Sequence, residues 1–172
     1  MSALTPTHVE VYLFRRGPGG IELLLLRRSR RRALPGVWQP VTGRIRRRER
    51  ALVAAAREVA EETGATPRRW WALESTALYF EPGTDRASVL PLFAAEIARG
   101  TRIRLSAEHD AGRFVTRRRA RAMVLWELQR RALDALGREI FSKARLAREL
   151  EITDLIPRRF RARPSPARVA RR

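Results

Sequence analysis

Alternating hydrophobic and polar positions run through two stretches near the start of the chain. Residues 7–16, THVEVYLFRR, alternate apolar and polar side chains, which is the period of a half-buried strand. The glycine-rich turn at 17–20 joins them to the apolar residues 21–28, so the pair predicts a β-hairpin. Further along, the pattern predicts strands over 69–80 and 87–97, with shorter strands near 101–105 and 111–115.

Three other stretches have the pattern of helices. The alanine-rich residues 48–63 are unbroken and are followed by Gly64, which predicts a helix closed by a glycine cap. Residues 118–136 predict a second, amphipathic helix, and residues 139–155 predict a third. Residues 31–43 hold two prolines and two glycines and are expected to be irregular. Strands and helices in this order predict a mixed α/β layered fold.

The composition is that of one soluble globular domain. The 172 residues suit a single domain, and a hydrophobic fraction of 44% is enough to build a core. The absence of cysteine excludes disulfides, thiolate metal sites and cysteine nucleophiles. The first residues show no signal peptide, and no apolar run approaches the roughly 20 residues of a membrane helix. We therefore expect a cytoplasmic protein that does not associate with membranes.

The charge is strongly positive. The formal net charge is +19, and Lys143 is the single lysine among 37 basic residues. Such an arginine bias is also typical of GC-rich genomes, but the charge attracts phosphate polyanions in general, so nucleotides and nucleic acids are both open as partners. Residues 157–172 hold seven arginines and no acid, which predicts a disordered basic tail. The rest of the chain keeps 19 − 7 = +12, so it is basic as well.

Against this basic background, three glutamates share one face of the first predicted helix. Glu58, Glu61 and Glu62 lie three and four residues apart, so their like charges repel unless a cation lies among them. The opposite edge is apolar enough to pack on a sheet and consists of Leu52, Ala55, Ala56 and Val59. A solvated acidic stripe bridged by arginines is one interpretation. A site for a hard cation such as Mg²⁺, which prefers oxygen ligands, is the other.

The spacing around these glutamates resembles the Nudix box, the signature of the Nudix hydrolases. The box reads G, five residues, E, seven residues, R-E-U-x-E-E-x-G-U, where U is a bulky aliphatic. The stretch from Gly43 to Ala65, GRIRRRERALVAAAREVAEETGA, matches eight of the nine specified positions and departs at Ala65. Family members often have acidic residues and a glycine where this chain has RIRRR at 44–48. The resemblance covers roughly residues 7–136 and implies an α/β/α sandwich with a mixed sheet.

The resemblance also implies roles for the residues of the box. The implied ligands of Mg²⁺, with Mn²⁺ as an alternative, are Glu58, Glu61, Glu62 and the backbone carbonyl of Gly43. Glu49 would support the cluster through metal-bound water, and Arg57 would orient the glutamates. The implied catalytic set is Glu58, Arg57, Glu49 and, from outside the box, Glu108. Together they would activate water for attack on a phosphoanhydride.

Two short segments indicate a subgroup. LSAEHDAGRFV at 105–115 and WQPVTG at 38–43 resemble segments of the Nudix enzymes that act on dATP and dihydroneopterin triphosphate. The candidates for substrate binding are Trp38, Gln39, Arg46 and Tyr79. His109 is a second candidate base, although a lone histidine in a loop is more often an ordinary polar residue.

The leading hypothesis is an Mg²⁺-dependent pyrophosphohydrolase of a nucleoside or pterin triphosphate. The alternatives are an ADP-ribose or dinucleoside polyphosphate hydrolase, and a Nudix protein that binds RNA or processes its 5′ ends. We predict a Nudix domain over residues 1–140, a helical extension over 141–156 and the basic tail over 157–172. Many Nudix proteins are dimers, so a homodimer is a further expectation.

Overall fold

The computed structural model describes residues 6–83, 85–142 and 144–162. Within these residues, seven strands form one mixed sheet in the order β3-β2-β1-β6-β5, with β4 also pairing with β1 and β7 with β2. The strands are β1 (His8–Gly17), β2 (Gly20–Arg28), β3 (Trp38–Gln39), β4 (Val41–Arg44), β5 (Arg69–Glu81), β6 (Arg86–Glu96) and β7 (His109–Thr116). The pair β1 and β6 is parallel, and the other pairs are antiparallel.

Helices cover both faces of the sheet. The α-helices are α1 (Ala51–Thr63), α2 (Arg117–Met123), α3 (Glu127–Leu136) and α4 (Ala144–Glu149), with a π-helical turn at Gly137–Phe141 and 3₁₀ turns at Thr153–Leu155 and Arg158–Phe160. None of the helices in the described parts of the chain is long and apolar enough to cross a bilayer. Helix α1 packs on one face of the sheet, while α2 and α3 pack on the other. The predicted α/β fold is confirmed.

Strand β1 shows how the sequence builds two cores on one sheet. Its side chains point alternately to opposite faces, so Val9, Val11 and Leu13 pack with α1, whereas Tyr12 and Phe14 pack with α2 and α3. All five are at most 1% exposed. Burial on both faces makes β1 the centre of the fold and fixes α1 against one side of it.

The predicted strand at 101–105 is absent from the structure, which has irregular backbone there. The N–H of Arg104 donates to the carbonyl of Thr63 at 2.8 Å, and the N–H of Ser106 donates to the carbonyl of Glu62 at 3.2 Å. These are the carbonyls of the last residues of α1, which have no N–H donor within the helix. The segment therefore caps α1 instead of joining the sheet.

The helix predicted over 118–136 is two helices. Helix α2 ends at Met123, and Val124 to Trp126 are extended before α3 begins at Glu127. Val124 is buried, and it forms an isolated parallel bridge with Trp38. The break occurs because Val124 packs into the core as part of an extended segment, which the helical periodicity of the sequence did not reveal.

The C-terminal segment also differs from its prediction. The single helix expected over 139–155 is replaced by the π-helical turn, α4 and a 3₁₀ turn. The chain leaves α4 because Ile152 donates its N–H to the carbonyl of Trp70 at 2.8 Å, at the outer edge of β5. Residues 157–162 of the predicted disordered tail are ordered, since Phe160 packs against the core beneath α1. Residues 163–172 lie outside the described residues.

Candidate active site

Arg57 is the centre of a cluster of carboxylates at the edge of α1. Its Nε and Nη2 donate to the two oxygens of Glu49, each at 2.8 Å. Its Nη1 donates to Glu58 at 2.6 Å and to Glu61 at 3.0 Å. The carbonyl of Arg44 accepts another hydrogen bond from Nη2 at 3.0 Å. About one turn of helix and the loop before it are thus held by a single guanidinium group.

This cluster separates the pKa values of its carboxyls. Hydrogen bonds from Arg57 lower the pKa of Glu49 to about 2. The same contact, more than any other, raises the pKa of Arg57 itself. Burial raises the pKa of Glu58 and outweighs its hydrogen bond to Arg57. Glu49 is therefore a carboxylate at neutral pH, whereas Glu58 carries a desolvation cost.

Glu62 is the most deeply buried carboxylate of the site. It is 4% exposed, and its Oε2 has no hydrogen-bond partner among the described residues. Burial, followed by the negative charges of Glu58 and Glu108, raises the pKa of Glu62 to about 9, although the backbone N–H of Thr42 donates to it. The Nδ1 of His109 lies 3.9 Å from Oε2. An acidic side chain in this setting is costly unless a cation accompanies it.

Gly43 lets β4 approach α1 closely. It pairs with Val9 of β1, which places its backbone under the carboxylate of Glu58. A Cβ atom added at Gly43 would lie 2.0 Å from the Cδ of Glu58, so any larger residue would displace the Glu58 side chain from its present position. Glycine thus leaves the space that Glu58 occupies, and the box spacing brings Gly43 and Glu58 together.

The loop between β4 and α1 contains the RIRRR departure. Arg48 has a φ of 63°, the left-handed conformation that favours glycine. The turn is closed by the N–H of Arg46, which donates to Glu49 at 2.9 Å, and by the N–H of Glu49, which donates back to the carbonyl of Arg46 at 3.0 Å. The side chain of Arg46 is mostly exposed and donates to Glu61 at 3.1 Å. The arginine-rich loop thus lies beside the cluster.

Glu108 lies near the buried carboxylate of Glu62, in the loop before β7. Its carboxylate is half-exposed and accepts a hydrogen bond from Arg32 at 2.8 Å. Its carbonyl accepts the N–H of Ser29 at 2.9 Å, so the loop after β2 and the loop before β7 are joined. Glu108 is near enough to Glu62 to raise its pKa. The predicted outside carboxylate is therefore beside the buried end of the cluster rather than in contact with Arg57.

The four candidate substrate residues do not all face the cluster. Gln39 is buried, and its Nε2 donates to the hydroxyl of Thr42 at 3.2 Å, next to the strand that lies under Glu58. Trp38 points to the other face of the sheet, where it packs with the α2 and α3 core. The hydroxyl of Tyr79 bonds to Glu81 at 2.9 Å and contacts His8, outside the cluster.

The oxygen donors of the cluster suit a divalent cation, although arginines hydrogen-bond to several of them. No three acidic or histidine side chains in the described parts of the chain converge closely enough to hold a metal ion. Arg57 and Arg46 are the reason, since they engage Glu58 and Glu61. The unpartnered oxygen of Glu62 and the hard oxygen donors around it fit Mg²⁺ or Mn²⁺.

Sequence reasoning missed three contributors to this site. Arg28, the last residue of β2, places its positive charge near Glu62, and Arg32, in the loop that follows, donates to Glu108. Thr42 contributes a backbone N–H, which no side-chain pattern reveals. No short motif identifies such partners, because the pairing of β2 with β7 and of β4 with β1 brings them together.

The structure belongs to the class of α/β sandwiches in which a mixed sheet lies between helical layers, here with an arginine-held carboxylate cluster on the first helix. The family model of the NUDIX domain matches residues 5–143. The chain therefore belongs to the NUDIX domain family, and the predicted family and hydrolase class are confirmed.

Solved structures of Nudix proteins share this fold. Ap4A hydrolase of C. elegans, solved as a binary complex, is 22% identical with a TM-score of 0.69, over 81% of this chain and 100% of that one. The MutT protein of Methanosarcina mazei Go1 is 27% identical with a TM-score of 0.63, over 83% and 100%. Dihydroneopterin triphosphate pyrophosphohydrolase of E. coli is 23% identical with a TM-score of 0.62, over 78% and 96%. No curated protein matches the chain.

Proposed function

We propose that the protein is a divalent-metal-dependent pyrophosphohydrolase that cleaves a nucleoside or pterin triphosphate to the monophosphate and pyrophosphate. The observation that carries this proposal is Glu62, a buried carboxylate with an unpartnered oxygen, next to the cluster held by Arg57. A buried acid without compensation is a common property of functional sites, because it costs stability in the absence of a ligand. The membership of the Nudix family supports the same reaction class.

The metal ligands that we propose are Glu58, Glu61, Glu62 and the carbonyl of Gly43. When bound, Mg²⁺ or Mn²⁺ would supply Lewis-acid activation of water and neutralise charge on the phosphate oxygens. Arg57 would hold Glu49, Glu58 and Glu61 in fixed rotamers, as its five donor contacts indicate. Its role is orientation, since its guanidinium group is already saturated by protein acceptors.

The reaction balances with these groups. Water attacks phosphorus in line, the anhydride P–O bond breaks, and pyrophosphate leaves with the bonding electrons. The proton of the water passes to a carboxylate of the site. Glu58 and Glu108 are the candidates for this base, while Glu49, with its pKa of about 2, is a weaker base held by Arg57.

Substrate binding divides between two groups of residues. Arg46 presents a mostly exposed guanidinium beside Glu61, where it would contact a phosphate group. Gln39 lies on the same face of the sheet as α1. Trp38 packs on the opposite face of the sheet, so we assign it no substrate contact. Tyr79, which lies outside the cluster, would contact the nucleoside or pterin instead.

The choice of a triphosphate rests on how two segments meet. Thr42, from WQPVTG, and Ser106 and His109, from LSAEHDAGRFV, all lie against Glu62. These are the segments that resemble enzymes acting on dATP and dihydroneopterin triphosphate. Their meeting at one glutamate favours that subgroup over ADP-ribose or dinucleoside polyphosphates. RNA is a further alternative because of the net positive charge.

The test is a substrate panel with Mg²⁺, in which phosphate, pyrophosphate and nucleotide products are separated. The panel contains the dNTPs and NTPs, dihydroneopterin triphosphate, ADP-ribose, diadenosine polyphosphates and 5′-triphosphorylated RNA, with Glu62→Gln as the control. We expect a triphosphate to give pyrophosphate and a monophosphate, with turnover lost in Glu62→Gln. Two monophosphates from ADP-ribose, or cleavage of diadenosine polyphosphates alone, would replace the proposed substrate. No turnover of any member by the folded protein would overturn the proposed reaction.

A further inference from the structure

Two buried polar atoms face each other at the inner end of the site. The Oε2 of Glu62 and the Nδ1 of His109 are 3.9 Å apart, and neither has a hydrogen-bond partner among the described residues. The side chains are 6% and 1% exposed, so bulk water does not compensate them. Buried polar atoms nearly always have a hydrogen-bond partner in folded proteins. Two such atoms that lie close together without a partner therefore call for a functional explanation.

We propose that His109 is a positioning residue, whose Nδ1–H donates to Oε2 of Glu62 and fixes the orientation of that carboxylate for metal binding. The inference rests on the proposed function only in that Glu62 is taken as a metal ligand. The two atoms need to approach by about 1 Å to reach the usual hydrogen-bond length of about 2.9 Å. Each carboxylate oxygen accepts more than one bond, so Glu62 keeps acceptor capacity for a metal.

The fold restrains His109 from both directions along its chain. His109 begins β7 and pairs with Arg28 of β2, next to a register shift between Arg27 and Arg28. Its N–H donates to the carbonyl of Ser106 at 3.2 Å, and the N–H of Ser106 donates to the carbonyl of Glu62 at 3.2 Å. The imidazole is therefore attached, through one short loop, to the backbone of the residue that it would position.

The chemistry of the imidazole matches this role. A neutral imidazole has one N–H donor and one acceptor. A neutral donor can orient a carboxylate without competing with a cation for it. Outer hydrogen bonds of this kind orient metal ligands in many proteins, and their loss commonly costs 10- to 100-fold in metal affinity.

The test compares His109→Asn with His109→Leu. The amide nitrogen of asparagine lies near the position of Nδ1, whereas leucine has nearly the same shape and no donor. The readout is the Mn²⁺ dissociation constant, measured by electron paramagnetic resonance of free Mn²⁺ without substrate. We expect His109→Leu to weaken Mn²⁺ binding by roughly 10- to 100-fold and His109→Asn to remain within about threefold of the wild type. Unfolding temperatures in EDTA confirm that both variants fold.

A double-mutant cycle keeps the proposal testable if one variant is destabilised. In a Glu62→Gln background, His109→Leu should weaken Mn²⁺ binding no further, since the residue that it positions is gone. Equal Mn²⁺ affinity in the wild type and His109→Leu would overturn the proposal, as would equal losses in the leucine and asparagine variants. If Mn²⁺ binding follows the expected order but the substrate panel shows no turnover, the positioning role stands and the proposed reaction fails.

Discussion

Two glutamates, one on each side of the sheet, are buried to the same extent but differ in their hydrogen-bond partners. Glu10, on β1, and Glu62, on α1, are each 4% exposed, and burial is the main cause of a raised pKa in both. Glu10 accepts hydrogen bonds from the hydroxyl of Tyr12 and, at 3.1 Å, from the amide of Gln129. Glu62 has an oxygen with no partner in the described part of the molecule.

On our proposal, this difference separates an acid that serves the fold, Glu10, from an acid that binds metal, Glu62. Both glutamates bear the cost of desolvation. Glu10 recovers part of it through side chains that join β1 to α3, whereas Glu62 accepts the backbone N–H of Thr42 and keeps one oxygen unpartnered among the described residues. Glu62 recovers little until something else binds. Proteins commonly retain such uncompensated groups where ligands bind, at a cost in stability. Four experiments test this difference.

Turnover should change the most. Glu62→Gln removes a proposed metal ligand, which should lower kcat/KM by roughly 10³-fold, because the metal contributes several kcal/mol to the transition state. Glu10→Gln should leave kcat/KM within about threefold of the wild type, since its partners lie on the other face of the sheet. Steady-state kinetics with the best substrate of the panel measures both. A comparable loss in the two variants would erase the distinction between them.

Folding stability should show the opposite order. Glu10→Ala leaves the hydroxyl of Tyr12 and the amide of Gln129 without their buried acceptor, and we expect a loss of about 3 kcal/mol. Glu62→Ala removes an acid whose burial is poorly compensated, so the change should stay within about 1 kcal/mol of the wild type. Chemical denaturation in EDTA tests the pair. A larger loss in Glu62→Ala would mean that Glu62 is a structural group.

The pH dependence of stability should reveal the buried acid at Glu10. Its pKa is raised in the folded protein by burial, against 4.5 ordinarily, so the folded state retains the proton to higher pH than the unfolded state does. The stability that protonated Glu10 contributes is complete below this ordinary value and is lost as the pH rises through the folded pKa. The free energy of unfolding of Glu10→Gln should therefore rise relative to the wild type as the pH increases from the ordinary value of 4.5 through the raised pKa of the folded state. Parallel curves would show that Glu10 has no raised pKa.

On the side of the sheet that holds Glu62, the Nudix box predicted more of the structure than the hydrophobic pattern did. The box spacing brought Glu49, Arg57 and Glu58 together, and the helix predicted at 48–63 corresponds to α1. These residues are close in the chain, so local spacing determines their geometry. The meeting of Glu62 with His109 depends on a loop that caps α1, and the same capping is why the strand predicted at 101–105 was wrong.

The network around Glu10 was not predictable at all. Glu10 belongs to an alternating strand in which a polar residue is expected to face solvent, yet α3 covers that position. Its partner Gln129 is 119 residues away in the chain. The break between α2 and α3 also depends on tertiary contact, through the bridge of Val124 with Trp38. Periodicity reveals which faces are apolar, but it cannot show which polar groups meet across a layer.

The smallest change should come from relieving backbone strain at Arg48, on the side of the sheet that holds Glu62. Arg48 holds a left-handed conformation at φ 63°, within the stretch where Nudix proteins often have a glycine. Relief of about 1–2 kcal/mol of backbone strain, less the 0.5–1 kcal/mol that glycine costs in chain entropy, should make Arg48→Gly about 0.5–1 kcal/mol more stable. Arg47→Gly removes the same charge where φ is not positive and should be destabilising by a similar amount, which denaturant unfolding can resolve. If Arg48→Gly also keeps full turnover, the strain is incidental. If turnover falls while stability rises, Arg48 belongs with Glu62 among the residues that the protein retains for function at a cost in stability.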